Sequence, residues 1–249
     1  MSRVKVLLSL KLNNLHDVSF MSKKKVISYN YRWHRTLFMR AYKRIHSIIM
    51  NWIDARQDRR ICGQSLTRSI VSTMRESKGA TNSSPTRYWI LDSIFNKIKV
   101  QPDDHVLDVG CGKGRVLAYM ADRDLASSVT GVELDPRPAK DCRKWIGRYP
   151  KLRLIEGNVM DINLNDYTML YMFHPITKDF LPVFFDKIER ELTHPLRLVY
   201  LNDSAGFPLL DDRRGWTLIK RGLIWKKHGL YLYAWPQMIS AWNYERNED

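Results

Sequence analysis

The feature that most constrains this chain is a sustained alternation of short apolar runs with amphipathic stretches between about Ser84 and Trp235. "HVLDVG", "SVTGVEL", "LRLIEGN", "TMLYMF" and "LRLVYLN" have the length and composition of strands. "RYWILDSIFNKIKV", "GRVLAYMADRD", "PAKDCRKWIGRY" and "FLPVFFDKIEREL" have helical spacing. "WTLIKRGLIWKKHGLYLYAW" has no room for a long helix and reads as two strands joined near Lys227–Gly229. The sequence therefore predicts an α/β fold: a doubly wound, mostly parallel seven-stranded sheet with an antiparallel C-terminal strand pair. Right-handed crossovers place helices on both faces. Ligands of such sheets bind beyond the carboxyl ends of the strands.

The first strand runs into "VLDVGCGKGRVL", Val106 to Leu117. A glycine turn from strand to helix lets backbone approach a ligand closely and aims helix N–H groups at it. The dinucleotide fingerprint is G-x-G-x-x-G/A. Here Gly110 and Gly112 fit, the third position is Arg115, and the third glycine comes one residue early at Gly114. Asp108 stands two residues before the first glycine. A carboxylate there repels a pyrophosphate and suits an ammonium group.

These residues resemble motif I of the class I, seven-stranded S-adenosylmethionine (SAM)-dependent methyltransferases. The resemblance runs from about Ser84 to Trp235. "GVELDP" (Gly131–Pro136) is similar to the end of that family's second strand, whose acid binds the ribose hydroxyls; here the acid is Glu133, followed by Leu134. "EGNVMD" (Glu156–Asp161) is similar to the third-strand motif that contacts adenine, with Asn158 where Asp is usual and Val159 next. The resemblance implies SAM as cofactor, with Asp108, Gly110, Cys111, Gly112, Gly114, Glu133, Leu134, Asn158, Val159 and Phe173 at its site. Cys111 contributes only as a small loop residue. A narrower likeness is to a bacterial group of unassigned substrate with "DRR-x-G", "Y-x-P-T-P-Y" and "F-x-N-P-F" segments. Here these read "DRRICG", "SSPTRY" and "FHPI". The departures are Ser83, Arg87 and His174. The likeness implies Thr86 and Tyr88 near the cofactor.

At the end of the fourth strand, nucleic-acid N-methyltransferases often carry Asn/Asp-Pro-Pro-aromatic. Phe173-His174-Pro175-Ile176 has no such amide, second Pro or aromatic. His174 cannot copy the paired donor and acceptor of an amide, which counts against adenine N6 methylation. Its imidazole can serve as a general base or simply line the pocket.

Among the 249 residues, the net charge of +15 is concentrated at one end. Residues 1–60 hold 14 Lys and Arg against 3 Asp and Glu. Three regions follow: a weakly ordered basic N-terminus over 1–30, a helical extension over 31–80, and the methyltransferase-like domain over 81–249. Met21 opens an alternative start. In the extension, Leu37, Tyr42, Ile45, Ile48, Ile49 and Trp52 can share one helical face. That face is expected to pack on the domain and leave a basic side in solvent; the alternative is contact of residues 23–60 with nucleic acid or an anionic membrane surface. No run reaches the roughly 20 apolar residues of a membrane span. The three cysteines are widely spaced, and no C-x-x-C, H-E-x-x-H or His cluster suggests a metal. A cytoplasmic protein is expected.

The acceptor stays open at this level. A small molecule, glycan or lipid-linked saccharide suits the near-neutral domain. RNA or DNA could be held by the basic arm, with Tyr31, Trp33 and Tyr42 stacking on bases. A protein lysine and a non-catalytic SAM-binding role complete the set.

Overall fold

The computed structural model describes residues 37–72, 79–224, 227–228, 232–233 and 237–246. Residues 1–30, Tyr31 and Trp33 lie outside them. The chain begins with helix α1 (Leu37–Cys62) and continues with α2 (Tyr88–Phe95). Then come β1 (His105–Val109), α3 (Arg115–Asp122), β2 (Ser128–Glu133), α4 (Pro136–Ile146) and β3 (Leu152–Glu156). The second half holds β4 (Met169–Phe173), α5 (Leu181–Glu191), β5 (Leu196–Leu201), α6 (Phe207–Asp211) and β6 (Trp216–Ile224). It ends with β7 (Lys227–His228), β8 (Leu232–Tyr233) and β9 (Gln237–Tyr244).

Seven strands form one sheet in the order β3-β2-β1-β4-β5-β9-β6. The first five are parallel, and β9 inserts antiparallel between β5 and β6. The expected fold class is therefore present. The last strand lies further along than the sequence reading placed it. Among the described residues, Leu232 and Tyr233 pair with His228 and Lys227 in a separate two-stranded ribbon. The sheet strand is "QMISAWNY", whose Ile239, Ala241, Trp242 and Tyr244 are buried. Burial, more than the alternation in "LYLYAW", selects the strand that joins the sheet.

The order reverses between β1 and β4, with β2 on one side and β5 on the other. One apolar cluster lies against each face. Leu91, Ile94, Leu117, Met120 and Trp145 fill the first, and Leu181, Phe184, Phe185, Leu198 and Trp242 the second. At the base of the sheet, Asp104 joins β1, β4 and β5. Its carboxylate accepts from the Gln101 N–H at 2.6 Å, the Thr168 hydroxyl at 2.7 Å and the Arg197 guanidinium. Burial raises its pKa, but Arg197, the Gln101 N–H and the Thr168 hydroxyl together outweigh that and hold it below the usual carboxylate range.

Helix α1 packs on the domain as expected, but with the opposite face. Met50, Ala55, Ile61 and Cys62 point inward together with Asp54 and Asp58. Ile45, Ile48, Ile49 and Trp52 are 51–61% exposed. The reason is electrostatic. Arg115, just past the glycine loop, is only 3% exposed and needs anionic partners. Asp58 supplies a two-pronged contact, accepting from Arg115 Nε at 2.9 Å and from its terminal nitrogen at 2.6 Å. Asp54, one turn away, accepts from Arg87 at 3.0 Å and lies 3.8 Å from Arg115. The helix also stops at Cys62, where Gly63 adopts φ +74°. The rest of the 31–80 extension is therefore not helical where it is described.

Removing Asp58 takes away the two-pronged contact of the buried Arg115 and leaves it only the more distant Asp54 carboxylate at 3.8 Å and the Thr86 carbonyl. Asp58→Ala should destabilise the fold by about 3–5 kcal/mol. Replacing both partners, Asp58→Leu with Arg115→Met, should restore much of that loss, because no uncompensated charge remains. Urea denaturation of the two variants checks this; equal losses would show that the pair's charge is not what matters.

Candidate functional site

A cavity of about 610 Å³ opens at the carboxyl ends of β1, β2, β4 and β5. Its floor is the glycine loop. Gly110 and Gly112 adopt φ +71° and +59°. A Cβ on Gly110 would come within 2.5 Å of Pro175 Cβ, and one on Gly112 within 2.5 Å of Ser83 Oγ. Both positions thus require glycine for conformation and for space. Gly114 serves a different purpose. It caps α3 at φ +86°, and a Cβ there would meet Cys142 and Trp145 of α4 at 2.7 and 2.8 Å. It sets helix packing and does not line the cavity.

Asp108 lies one residue before the end of β1, with 2% exposure. Its Oδ2 is buried without a hydrogen-bond partner among the described residues, and the residue lines the cavity. Burial, and then the nearby Glu133 charge, push its pKa well above the ordinary carboxylate range. Glu133, at the end of β2, accepts from the Gly112 N–H at 2.7 Å and from the Asp135 N–H at 2.8 Å. Burial raises its pKa too. The sequence pointed to Glu133 as a ligand group. It also fastens the glycine loop to the second strand, a role that spacing alone does not reveal.

Two buried carboxyl groups facing one cavity call for a cationic guest. The ammonium and sulfonium charges of SAM meet that requirement, and the glycine floor admits it closely. Asp108 would take the ammonium end and Glu133 the ribose. Asn158 Oδ1 accepts from the Met160 N–H at 3.1 Å, which leaves the side-chain NH₂ as the donor for an adenine edge.

Thr86, Cys111, Leu134, Asn158, Val159, Phe173 and His174 also line the cavity. Cys111 behaves as a small residue: its Sγ lies over Gly131, where a Cβ would stand 2.6 Å away. Thr86 Oγ1 is 3.1 Å from the Tyr171 hydroxyl, and the Thr86 carbonyl accepts from Arg115 at 3.4 Å. Tyr88 is not on the wall. Its N–H donates to Asp54 at 3.4 Å, and its buried ring lies against Tyr119, with the Arg115 guanidinium 5.4 Å from its centroid. The polar backbone need of α2's first turn draws it inward.

Sequence reasoning missed Arg115, Ser83 and Asn202. Arg115 occupied the position of a missing glycine, and its partners lie 57 residues upstream. Asn202 ends β5, lines the cavity and has φ +60°. His174 ends the neighbouring β4 at φ +44°. Left-handed backbone at two non-glycine residues on one cavity is a mark of a functional rim. The His174 carbonyl accepts from the Thr81 hydroxyl at 2.5 Å, and Tyr200 Oη lies 3.5 Å from His174 Nδ1. Among the described residues no group of side chains could hold a metal ion, and no helix is long and apolar enough to cross a membrane.

Residues 106–194 match the family model of a methyltransferase domain. A protein-lysine N-methyltransferase of Saccharolobus islandicus is 26% identical over 156 residues, covering 60% of this chain and 91% of that protein. Ribosomal RNA small subunit methyltransferase A of Geobacter metallireducens is 31% identical over 77 residues, covering 31% of this chain. This chain spans only 27% of the length of that relative. Among solved structures, a precorrin-6y C5,15-methyltransferase of the same species superposes with a TM-score of 0.53 at 15% identity, covering 69% of this chain and 95% of that one. The shared fold is that of the class I methyltransferases.

Asp108 yields a pH test. It must be ionised to hold an ammonium group, and its pKa is raised. SAM affinity should therefore fall as pH drops through that raised value, approaching a tenfold loss per pH unit below it. Asp108→Asn should bind weakly at every pH. Titration calorimetry from about pH 8 to about pH 5 checks this; identical pH profiles for the two proteins would remove Asp108 from the role.

Proposed function

We propose that this chain, whose residues 106–194 form a methyltransferase domain on the class I fold, methylates an oxygen or nitrogen of a small molecule or glycan. The observation that carries the acceptor reading is the outer half of the cavity. Gly79 to Ser84, Phe173 to Ile176, Phe180, Val183 and Asn202 border it, and none of these is Lys or Arg. The only basic residues on the described wall are Lys113 and Arg115. Lys113 lies 3.7 Å from Asp141, and Arg115 is held by Asp58. A groove that grips a phosphate backbone needs unengaged cations, and this wall offers apolar surface with a few polar groups. Phe180 and Val183 are 41% and 52% exposed at its mouth.

Bound at the Asp108–Glu133 end, SAM supplies an electrophilic methyl group. This chain's residues orient the partners and move the proton. Asp108 and the loop N–H groups fix the cofactor end. His174 lines the same cavity just past β4, which supports it as the residue that meets the acceptor's nucleophilic atom. With Nδ1–H directed at Tyr200 Oη, Nε2 carries the lone pair. It would take the proton from the acceptor's hydroxyl or amine as the acceptor atom bonds to the methyl carbon and the carbon–sulfur bond breaks, its electron pair staying on the departing thioether. Burial raises the Tyr200 pKa, so this partner stays a neutral phenol.

A second reading, a protein lysine, is favoured by the 91% coverage of the lysine-methyltransferase relative. Methyl-labelled SAM added to cell extract, followed by separation into RNA, DNA, protein, lipid–glycan and small-molecule fractions, separates the readings. Label above an Asp108→Ala control is expected in the small-molecule and glycan material. Label in protein alone selects the lysine reading. With the acceptor in hand, His174→Ala should lower turnover about 10²-fold or more at unchanged SAM affinity. Near-wild-type turnover would exclude it as the base.

A further inference from the structure

Five large apolar side chains stand in solvent on one side of α1. Ile45 is 57% exposed, Ile48 61%, Ile49 51%, Trp52 60% and Ile53 43%. The first four follow the i, i+3, i+4, i+7 spacing of a single helical stripe. The stripe points away from Met50, Asp54, Asp58 and Ile61, which face the domain. A stripe of exposed large apolar side chains of this kind marks an interaction surface.

Charge selects the occupant. Residues 18–53 contain eight Lys and Arg and no Asp or Glu. On the described helix, Arg44, Arg56 and Arg59 are exposed beside the stripe. Arg56 also sits 5.9 Å from the centre of the Trp52 ring. The two acids of the helix, Asp54 and Asp58, are turned inward and matched to Arg87 and Arg115. The outer face thus combines aliphatic chains, one tryptophan and unopposed positive charge. A second copy of this face would bring like charges together. Single-stranded nucleic acid takes cations and aromatic platforms but gains nothing from four isoleucines. A bilayer of anionic phospholipid satisfies every component: hydrocarbon for the isoleucines, the interface for Trp52, and headgroup phosphates for the arginines.

We infer that α1 is an in-plane membrane anchor, through which the folded protein docks on anionic phospholipid. The inference stands independently of the methyl acceptor. Docking would bring the cleft rim close to the lipid, since Arg87, next to the cavity residue Thr86, donates to Asn51 on α1 at 3.0 Å.

The test is flotation of the full-length protein with vesicles of phosphatidylglycerol and phosphatidylcholine, against vesicles of phosphatidylcholine alone. The wild type should float with the anionic vesicles and about tenfold less with the neutral ones. Ile48→Asp with Trp52→Asp should lose about tenfold or more of that binding. Arg56→Glu with Arg59→Glu should lose it in a salt-sensitive way. Thermal midpoint and SAM affinity should be unchanged in both, because the altered side chains touch solvent. Any of four results overturns the inference: no flotation with anionic vesicles; flotation unaffected by the apolar variant; a wild-type dimer that the apolar variant converts to monomer; or an apolar variant that loses thermal stability, which would mean another part of the chain covers the stripe.

Discussion

The buried guanidinium of Arg115 ties the molecule together. It sits at the first position of the helix that follows the glycine loop, and two distant segments converge on it. Asp58 of α1 holds it through two bonds, the Thr86 carbonyl caps it, and the Tyr88 ring lies beside it. A charge in that place forces neighbours to be acidic or polar. It therefore dictates which face of α1 turns inward, where the Ser83–Thr86 loop rests, and how the cavity is roofed. Asp58 in turn accepts from the Leu66 N–H at 2.8 Å, which fixes the chain's exit from α1. The extension is thus part of the cofactor site in energetic terms, although the family model begins at residue 106.

The cavity itself is organised by opposed carboxyl groups. Asp108 keeps an oxygen without a partner, while both oxygens of Glu133 are committed to backbone N–H groups. One group is poised for a guest, and the other maintains the shape that receives it. The same division appears at the outer rim. His174 faces the cavity, while its carbonyl is fixed by Thr81. Both arrangements place the cost of holding a polar group on the fold, before any ligand arrives.

Much of this was legible in the sequence because it depends on local pattern. The five parallel strands and the glycine turn follow from periodicity and short spacing, and the acids Asp108 and Glu133 from the resemblance of the segments around them to a family motif. What was not legible depends on distance. The inward face of α1 was misjudged because its isoleucines form the better apolar stripe; only the location of Arg87 and Arg115 shows why the aspartates win. Tyr88 was placed at the cofactor by the likeness of "SSPTRY" to a family segment, yet here Tyr88 opens α2 and its ring packs inward against Tyr119. Gly114 was grouped with its loop glycines, but its constraint comes from Trp145, 31 positions on. The final strand was placed too early because "LYLYAW" and "QMISAWNY" are both credible strands until β5 chooses between them.

The reliance of α1 on residues made later bears on how the chain is synthesised. Asp54 waits 33 residues for Arg87, and Asp58 waits 57 for Arg115. At about 5–20 residues per second, the helix leaves the ribosome roughly 3–11 seconds before its deepest charge partner exists. During that interval its acidic face has nothing to dock against, whereas its outer stripe is already complete. The order of synthesis therefore delays the docking of α1 until residue 115 has emerged, so its burial against the domain is a late event of folding.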